Sequence, residues 1–288
     1  MKISAGQLVL LTGASGGLGV YMARAFATRG ANLALVAYPG TGLEDLRKEV
    51  QQLGVRAVAL ASDLRDPSER RKVVEQVSNE FGPIQILVNN AGVEFTSAYH
   101  ELSEENIHEI IGVNLEAAMV LTRLVLPEML RRAAGHIVSI SSLAGRSGPA
   151  FQEPYAATKA GLVAFTSSLR ATYRRQGVSA SVVTPGFVEA GIYANLKARS
   201  GCSAPGLLGT STPETVARAV IRAVEKDVPE IIVNPLPVRP LLALSALMPV
   251  FGERIINQIG TNDFFRRVVE AEKRHQTAAV VATQNRAT

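Results

Sequence analysis

Seven short apolar runs, each separated from the next by a stretch of helical character, constrain this chain more than any other feature in it. The runs fall at residues 8–11, 33–37, 55–61, 84–88, 136–140, 178–183 and 230–233. Residues 18–29, 43–53, 67–81, a long segment from Ser103 to just before Gly135, 155–175 and a segment opening at Thr212 read as helices. Strands buried on both faces are apolar throughout, and parallel neighbours need a crossover long enough to hold a helix. The alternation therefore predicts βαβ units in an α/β fold. The expected fold is a doubly wound parallel sheet of about seven strands with helices on both faces. Gly30 and Gly54 stop helices, Thr212-Pro213-Glu214 starts one with a cap and a proline at N1, and Pro127 is expected to break or bend the long helix.

No linker or composition break interrupts residues 1–234, which read as one domain. Residues 235–288 read as a helical appendage, with a frayed tail from about Thr277. The charge of +5 comes from basic residues spread along the chain, which argues against a nucleic-acid footprint. One cysteine, Cys202, excludes an internal disulfide, and four scattered histidines offer no metal spacing. The N-terminus carries no signal-peptide core, so a cytoplasmic location is expected. The late apolar run 241–251 is broken by Pro249 and is too short to span a bilayer, which leaves a buried helix, a lid or shallow membrane contact.

The first run ends in Thr12-Gly13-Ala14-Ser15-Gly16-Gly17-Leu18-Gly19 and leads into the first helix. Glycines there permit a tight turn and close approach to a phosphate, and the helix N-terminus supplies free N–H groups. This strand–turn–helix context predicts a Rossmann-type dinucleotide site. The second strand ends in Ala37-Tyr38-Pro39, with neither a carboxylate to take ribose hydroxyls nor an arginine for a 2′-phosphate. Ser15, Tyr38 and Thr41 could donate to such a phosphate, with Arg65 a more distant candidate. NADP(H) is the favoured cofactor and NAD(H) the alternative.

A second motif lies at residues 142–159. Tyr155 and Lys159 are four apart on a helix and share a face, with Ser142 upstream at the end of the fifth strand. A phenol is a poor acid or base near neutrality, and a nearby cation is expected to lower its pKa. The set proposes a proton-transfer site.

Together these residues resemble the short-chain dehydrogenase/reductase family over roughly residues 6–234. Thr12, Gly13, Gly17 and Gly19 match its glycine spacing. Asn89-Asn90-Ala91-Gly92, Asp63-Leu64, Asn114, Ser142, Tyr155-Ala156-Ala157-Thr158-Lys159 and Pro185-Gly186 match the rest. The resemblance implies that Tyr155 is the general acid of carbonyl reduction and the base of alcohol oxidation. It implies that Lys159 lowers the Tyr155 pKa and binds the nicotinamide ribose, that Ser142 holds the substrate oxygen, and that Asn114 positions a water. It assigns cofactor contacts to Gly13, Ser15, Gly17, Leu18, Gly19, Tyr38, Asp63, Leu64, Asn90, Ala91, Gly92, Pro185, Gly186 and Val188. It also implies a homodimer or homotetramer paired through the helices holding Asn114 and Tyr155. Ala190 departs from the family's usual threonine, which removes a contact near the nicotinamide.

The expected substrate is a small lipophilic ketone or secondary alcohol over the nicotinamide, with Glu94, Leu143, Phe151, Gln152, Phe187 and Tyr193 as wall residues. Residues 194–211, rich in Gly, Ser and Ala, read as a mobile lid, and residues 241–259 with Phe264 and Phe265 as a cover, a subunit contact or a membrane contact. A non-catalytic nucleotide sensor on the same fold is the competing function. Retention of both Tyr155 and Lys159 argues against it. An epimerase or dehydratase would need a larger C-terminal substrate domain.

Overall fold

The computed structural model of the chain describes residues 1–287, with side chains up to Arg274. The apolar runs form seven strands, β1 (Leu8–Thr12), β2 (Asn32–Ala37), β3 (Ala57–Ala61), β4 (Ile86–Asn89), β5 (Gly135–Ile140), β6 (Val178–Pro185) and β7 (Glu230–Val233). All neighbours are parallel, in the order β3-β2-β1-β4-β5-β6-β7. Every residue of β1, β4 and β5 is buried; β1 and β4 accordingly read as nearly continuous apolar runs, while β5 also buries the polar His136 and Ser139.

The helices are α1 (Gly19–Ala27), α2 (Leu43–Gln51), α3 (Pro67–Phe81), α4 (Glu104–Ile111), α5 (Ala117–Arg131), α6 (Glu153–Tyr173), α7 (Gly191–Ser200), α8 (Pro213–Lys226), α9 (Arg239–Leu247), α10 (Pro249–Ile259) and α11 (Thr261–Ala287). Side chains set several of their starts. Asp66, Ser103 and Thr212 each accept a backbone N–H of the first turn, and Pro67 and Pro213 sit where a missing N–H costs nothing. One core joins α1, α2 and α8 to one face of the sheet through Met22, Phe26, Leu46, Val50 and Val220. A second covers the other face with Val73, Val77, Leu121, Val125 and Met129. The strand order reverses between β1 and β4, opening a crevice at their carboxyl ends.

Two sequence expectations need correction. Pro127 does not break its helix: α5 runs through it, because Pro127 is exposed and water can satisfy the carbonyl left without a donor. The interruption falls earlier, at a π-helical turn over Gly112–Glu116 that contains the buried Asn114. The expected lid at 194–211 is also only partly loop. Its first part belongs to α7, which packs Tyr193 and Leu196 against Phe264, Phe265 and Val268 of α11. The expectation of a frayed tail from Thr277 falls beyond the described side chains.

The stretch Glu104–Arg131 has the length and hydropathy to cross a bilayer. Here it is a core element, with Ile110, Ala117, Leu121, Val125 and Met129 buried.

His136 on β5 is 1% exposed and its Nε2 lies 2.9 Å from Ser181 Oγ. Burial pushes its pKa down from 6.5 to about 4. The folded state therefore binds this proton less readily than the unfolded chain. Stability should fall as pH drops from about 6.5 and level off near 4, by up to about 3 kcal/mol from this residue. Denaturant titrations across that range should show a shallower slope in His136→Gln than in the parent.

Candidate active site

The crevice begins with the glycine loop. Gly13 has φ +62°, and a Cβ there would meet Ala91 Cα at 2.8 Å. A Cβ on Gly19 would lie 2.2 Å from Gly13 O, and one on Gly17 would lie 2.1 Å from Gly191 N. These positions admit no side chain, so backbone alone forms the cradle. Thr12 and Asn90 hold it from below. Thr12 Oγ1 donates to Val88 O and accepts from the N–H groups of Asn90 and Ala91. Asn90 Nδ2 donates to the carbonyls of Thr12 and Gly13, each at 3.0 Å.

Beside the cradle, the end of β5 is bonded to α6. Ser141 Oγ donates to Lys159 O at 2.7 Å, and Lys159 Nζ donates to Ile140 O at 3.0 Å. After Ser142 the chain makes a 3₁₀ turn, Leu143–Gly145, with Ser142 Oγ accepting Ala144 N–H. Gly145 lets that turn lie directly on the Lys159–Ala160 peptide. The packing brings Ser142, Tyr155 and Lys159 to one cavity wall. Lys159 Nζ lies 5.5 Å from the Tyr155 ring centroid.

The electrostatics differ from the simple expectation of a cation lowering the phenol. Burial pushes Tyr155 up to about 12, with the Ser142 hydrogen bond working against that and the Glu94 charge adding to it. Burial pushes Lys159 down to about 8. Desolvation disfavours the charged form of each group, so the protein by itself holds Tyr155 as a phenol.

The glycine loop, the Ser142, Tyr155 and Lys159 side chains and the apolar side chains of Leu241, Leu242, Ile256 and Ile259 line one cavity of about 360 Å³. The cavity thus joins backbone suited to a phosphate, a cluster of hydroxyl and ammonium groups and an apolar wall. The profile of the family described as short chain dehydrogenase matches residues 7–201. The chain belongs to the short-chain dehydrogenase/reductase family. Like other members, it is an oxidoreductase. Ketoacyl reductase HetN of Nostoc sp. (strain PCC 7120) is 39% identical over 291 residues, covering 99% of this chain and all of that one. The 3-oxoacyl-[acyl-carrier-protein] reductase FabG of Escherichia coli (strain K12) is 35% identical over 184 residues, 64% of this chain and 74% of FabG. Among solved structures, a point variant of actinorhodin polyketide ketoreductase with NADPH superposes with a TM-score of 0.73 at 29% identity, covering 80% of this chain and 97% of that one. A metagenomic short-chain oxidoreductase in complex with NADP gives 0.70, also at 29%, covering 82% and 100%.

Of the residues expected from sequence, Gly13, Gly17, Leu18, Asn90, Gly92, Ser142, Leu143, Gln152, Tyr155, Lys159, Pro185, Gly186, Phe187, Val188 and Tyr193 line the cavity. Gly19 and Ala91 lie behind the cradle as its close packing partners. Outside the cavity lining of this short-chain dehydrogenase, Tyr38 is 58% exposed, with the Arg65 guanidinium 5.7 Å from its ring centroid. Asp63 is paired with Arg65, which holds its carboxyl below the usual range. Leu64 packs its side chain into the core, so only its backbone remains for a ligand. Ser15 Oγ donates to Thr41 Oγ1 at 2.7 Å.

Three expected residues are engaged elsewhere. Asn114 Oδ1 accepts Val93 N–H, and its Nδ2 donates to Val93 O and Thr158 Oγ1. It thus fixes the segment after β4 to α6 and makes no direct bond to Lys159. Glu94, whose side chain is 4% exposed, accepts from Thr96, Gln152 and Arg199, and Arg199 also binds Glu272 of α11. Its carboxylate is consumed in tying the loop after β4 to α7 and α11. Phe151 stands at φ +65° and packs among the α7–α11 aromatic side chains, outside the cavity lining.

Sequence reasoning missed Ser141, whose hydroxyl braces α6, and left open what residues 241–259 do. They roof the cavity with Leu241, Leu242, Ile256 and Ile259. The mixed apolar pattern after Val233 was the available signal, but it could not distinguish a roof from an exposed surface.

Proposed function

We propose that this chain is an NADP(H)-preferring reductase of lipophilic ketones, with 3-oxoacyl thioesters the first class to test. The observation that carries the reading is the continuity of one cavity from the glycine cradle, past Ser142, Tyr155 and Lys159, to the chamber walled by α9 and α10. The ketoacyl reductases among its relatives support the substrate class. The absence of a carboxylate at the end of β2, the nearby Arg65 and the NADP(H)-bound structural neighbours support the cofactor preference.

The glycine cradle fits a dinucleotide pyrophosphate, since side chains at Gly13, Gly17 or Gly19 would collide with backbone. A nicotinamide dinucleotide held by this cradle would supply the hydride for carbonyl reduction. Ser142 Oγ donates to the carbonyl oxygen, and Tyr155 Oη delivers the proton that completes the alcohol. Lys159, held by Ile140 O, keeps further N–H groups for the ribose and for returning a proton to Tyr155. Asn114 shapes this wall through Val93 and Thr158; the water role rests on family resemblance. The chain would work in the cytoplasm as a homo-oligomer paired through α4, α5 and α6, where Ile111 and Met119 are exposed.

Purified protein with NADPH should consume the nicotinamide absorbance on addition of 3-oxoacyl thioesters, faster than with NADH and faster for longer acyl chains. Tight cofactor binding with no turnover on any ketone or alcohol would favour a nucleotide sensor.

A further inference from the structure

The hairpin of α9 and α10 has two apolar sides. Leu241, Leu242 and Ser245 of α9 and Ile256 and Ile259 of α10 face the cavity. The helices cross where Gly252 meets Ser245, a contact with no room for a Cβ. At the tip connecting them the side chains turn outward. Leu247 is 81% exposed, Met248 53%, Val250 67% and Phe251 44%. With 3.6 residues per turn, Val250 and Arg254 share the α10 face opposite Gly252 and Ile256. Arg254 and Arg267 make no ion pair among the described residues. Soluble surfaces rarely expose such a run of large apolar side chains without a partner.

We propose that this tip inserts shallowly into a lipid bilayer containing anionic headgroups, placing the cavity roof at the membrane surface so that lipophilic ketones enter from the lipid. A second copy of the chain fits the tip less well. The four side chains offer on the order of half the roughly 800 Å² per partner of a stable interface. The tip is a turn with a proline at its centre, suited to penetration between headgroups. Arg254 beside it, without an ion pair among the described residues, complements anionic lipid, as on other interfacial helices with an apolar face and flanking cations. The delivery of substrate rests on the ketone-reductase reading; the insertion does not.

The chain contains no tryptophan, so Val250→Trp gives a single reporter with no background. Its emission should shift to the blue on mixing with phosphatidylcholine vesicles containing phosphatidylglycerol, and less with phosphatidylcholine alone. In co-sedimentation, Leu247→Glu combined with Val250→Glu should lose at least about tenfold in vesicle affinity, and Arg254→Gln should lose only the gain due to anionic lipid. NADPH affinity of these variants, measured without substrate, should stay at the parental value and so report that the fold and cradle are intact. No shift and no sedimentation of the parent would overturn the proposal. So would a parental oligomer that the double glutamate variant converts to a smaller species, since the tip would then be covered by a second copy.

Discussion

Tyr155→Phe should lower turnover by at least about 10²-fold, the scale of a lost general acid, while NADPH affinity stays within about twofold. The substitution removes one hydroxyl and keeps the ring that packs in the wall. The glycine cradle does not depend on that hydroxyl: it is held by hydrogen bonds among Thr12, Gly13 and Asn90, none of which involves α6. Loss of turnover with retained binding therefore separates proton transfer from folding. The same geometry fixes a pH dependence. With Tyr155 raised to about 12, the phenol is protonated throughout the working range and serves as donor for reduction. The ammonium able to restore its proton belongs to Lys159, which titrates near 8. Reduction should therefore decline as pH rises through about 8, whereas a site governed by the phenol alone would hold its rate until far higher pH. Equal turnover by Tyr155→Phe and the parent would remove Tyr155 from the reaction.

The elements that sequence located best are those whose physics is local. β1 and β4 are buried on both faces, and their nearly continuous apolar character is the direct trace of that environment. Tyr155 and Lys159 share a face because the helix repeat alone demands it. What sequence missed depends on contacts between distant segments. Nothing near Pro127 says that its side of α5 will face solvent, and nothing near Asn114 announces a π turn. Glu94 was expected in the wall of the substrate pocket because it follows a strand end. Its partners Arg199 and Glu272 come from segments far along the chain, and only the fold brings them together. The electrostatic balance was hidden for a related reason. Spacing shows that a cation is near a phenol, but not that both are dehydrated, and dehydration decides the sign.

A single methyl group at Gly145 tests how closely the reacting groups are positioned. A Cβ there would stand 2.5 Å from Lys159 C and 2.7 Å from Ala160 N, both backbone atoms that cannot rotate away. Either the Leu143–Gly145 turn lifts from α6 or the helix shifts, and both strain the Ser141–Lys159 hydrogen bond. Ser142 precedes this turn and is bonded to it through Ala144 N–H, so its hydroxyl moves relative to Tyr155. Forced overpacking of this kind costs about 1–3 kcal/mol of stability. Displacing a catalytic group by about 1 Å can cost about 10²-fold in rate. Gly145→Ala should therefore lower kcat/KM by about 10- to 100-fold while NADPH still binds the cradle. Gly148→Ala is the matched control. Its Cβ would lie 3.6 Å from Ala156 Cβ, an ordinary contact, and the variant should stay within about twofold of the parent. If the two alanine variants behave alike, the close approach of the turn to α6 does not set the geometry of Ser142 and Tyr155.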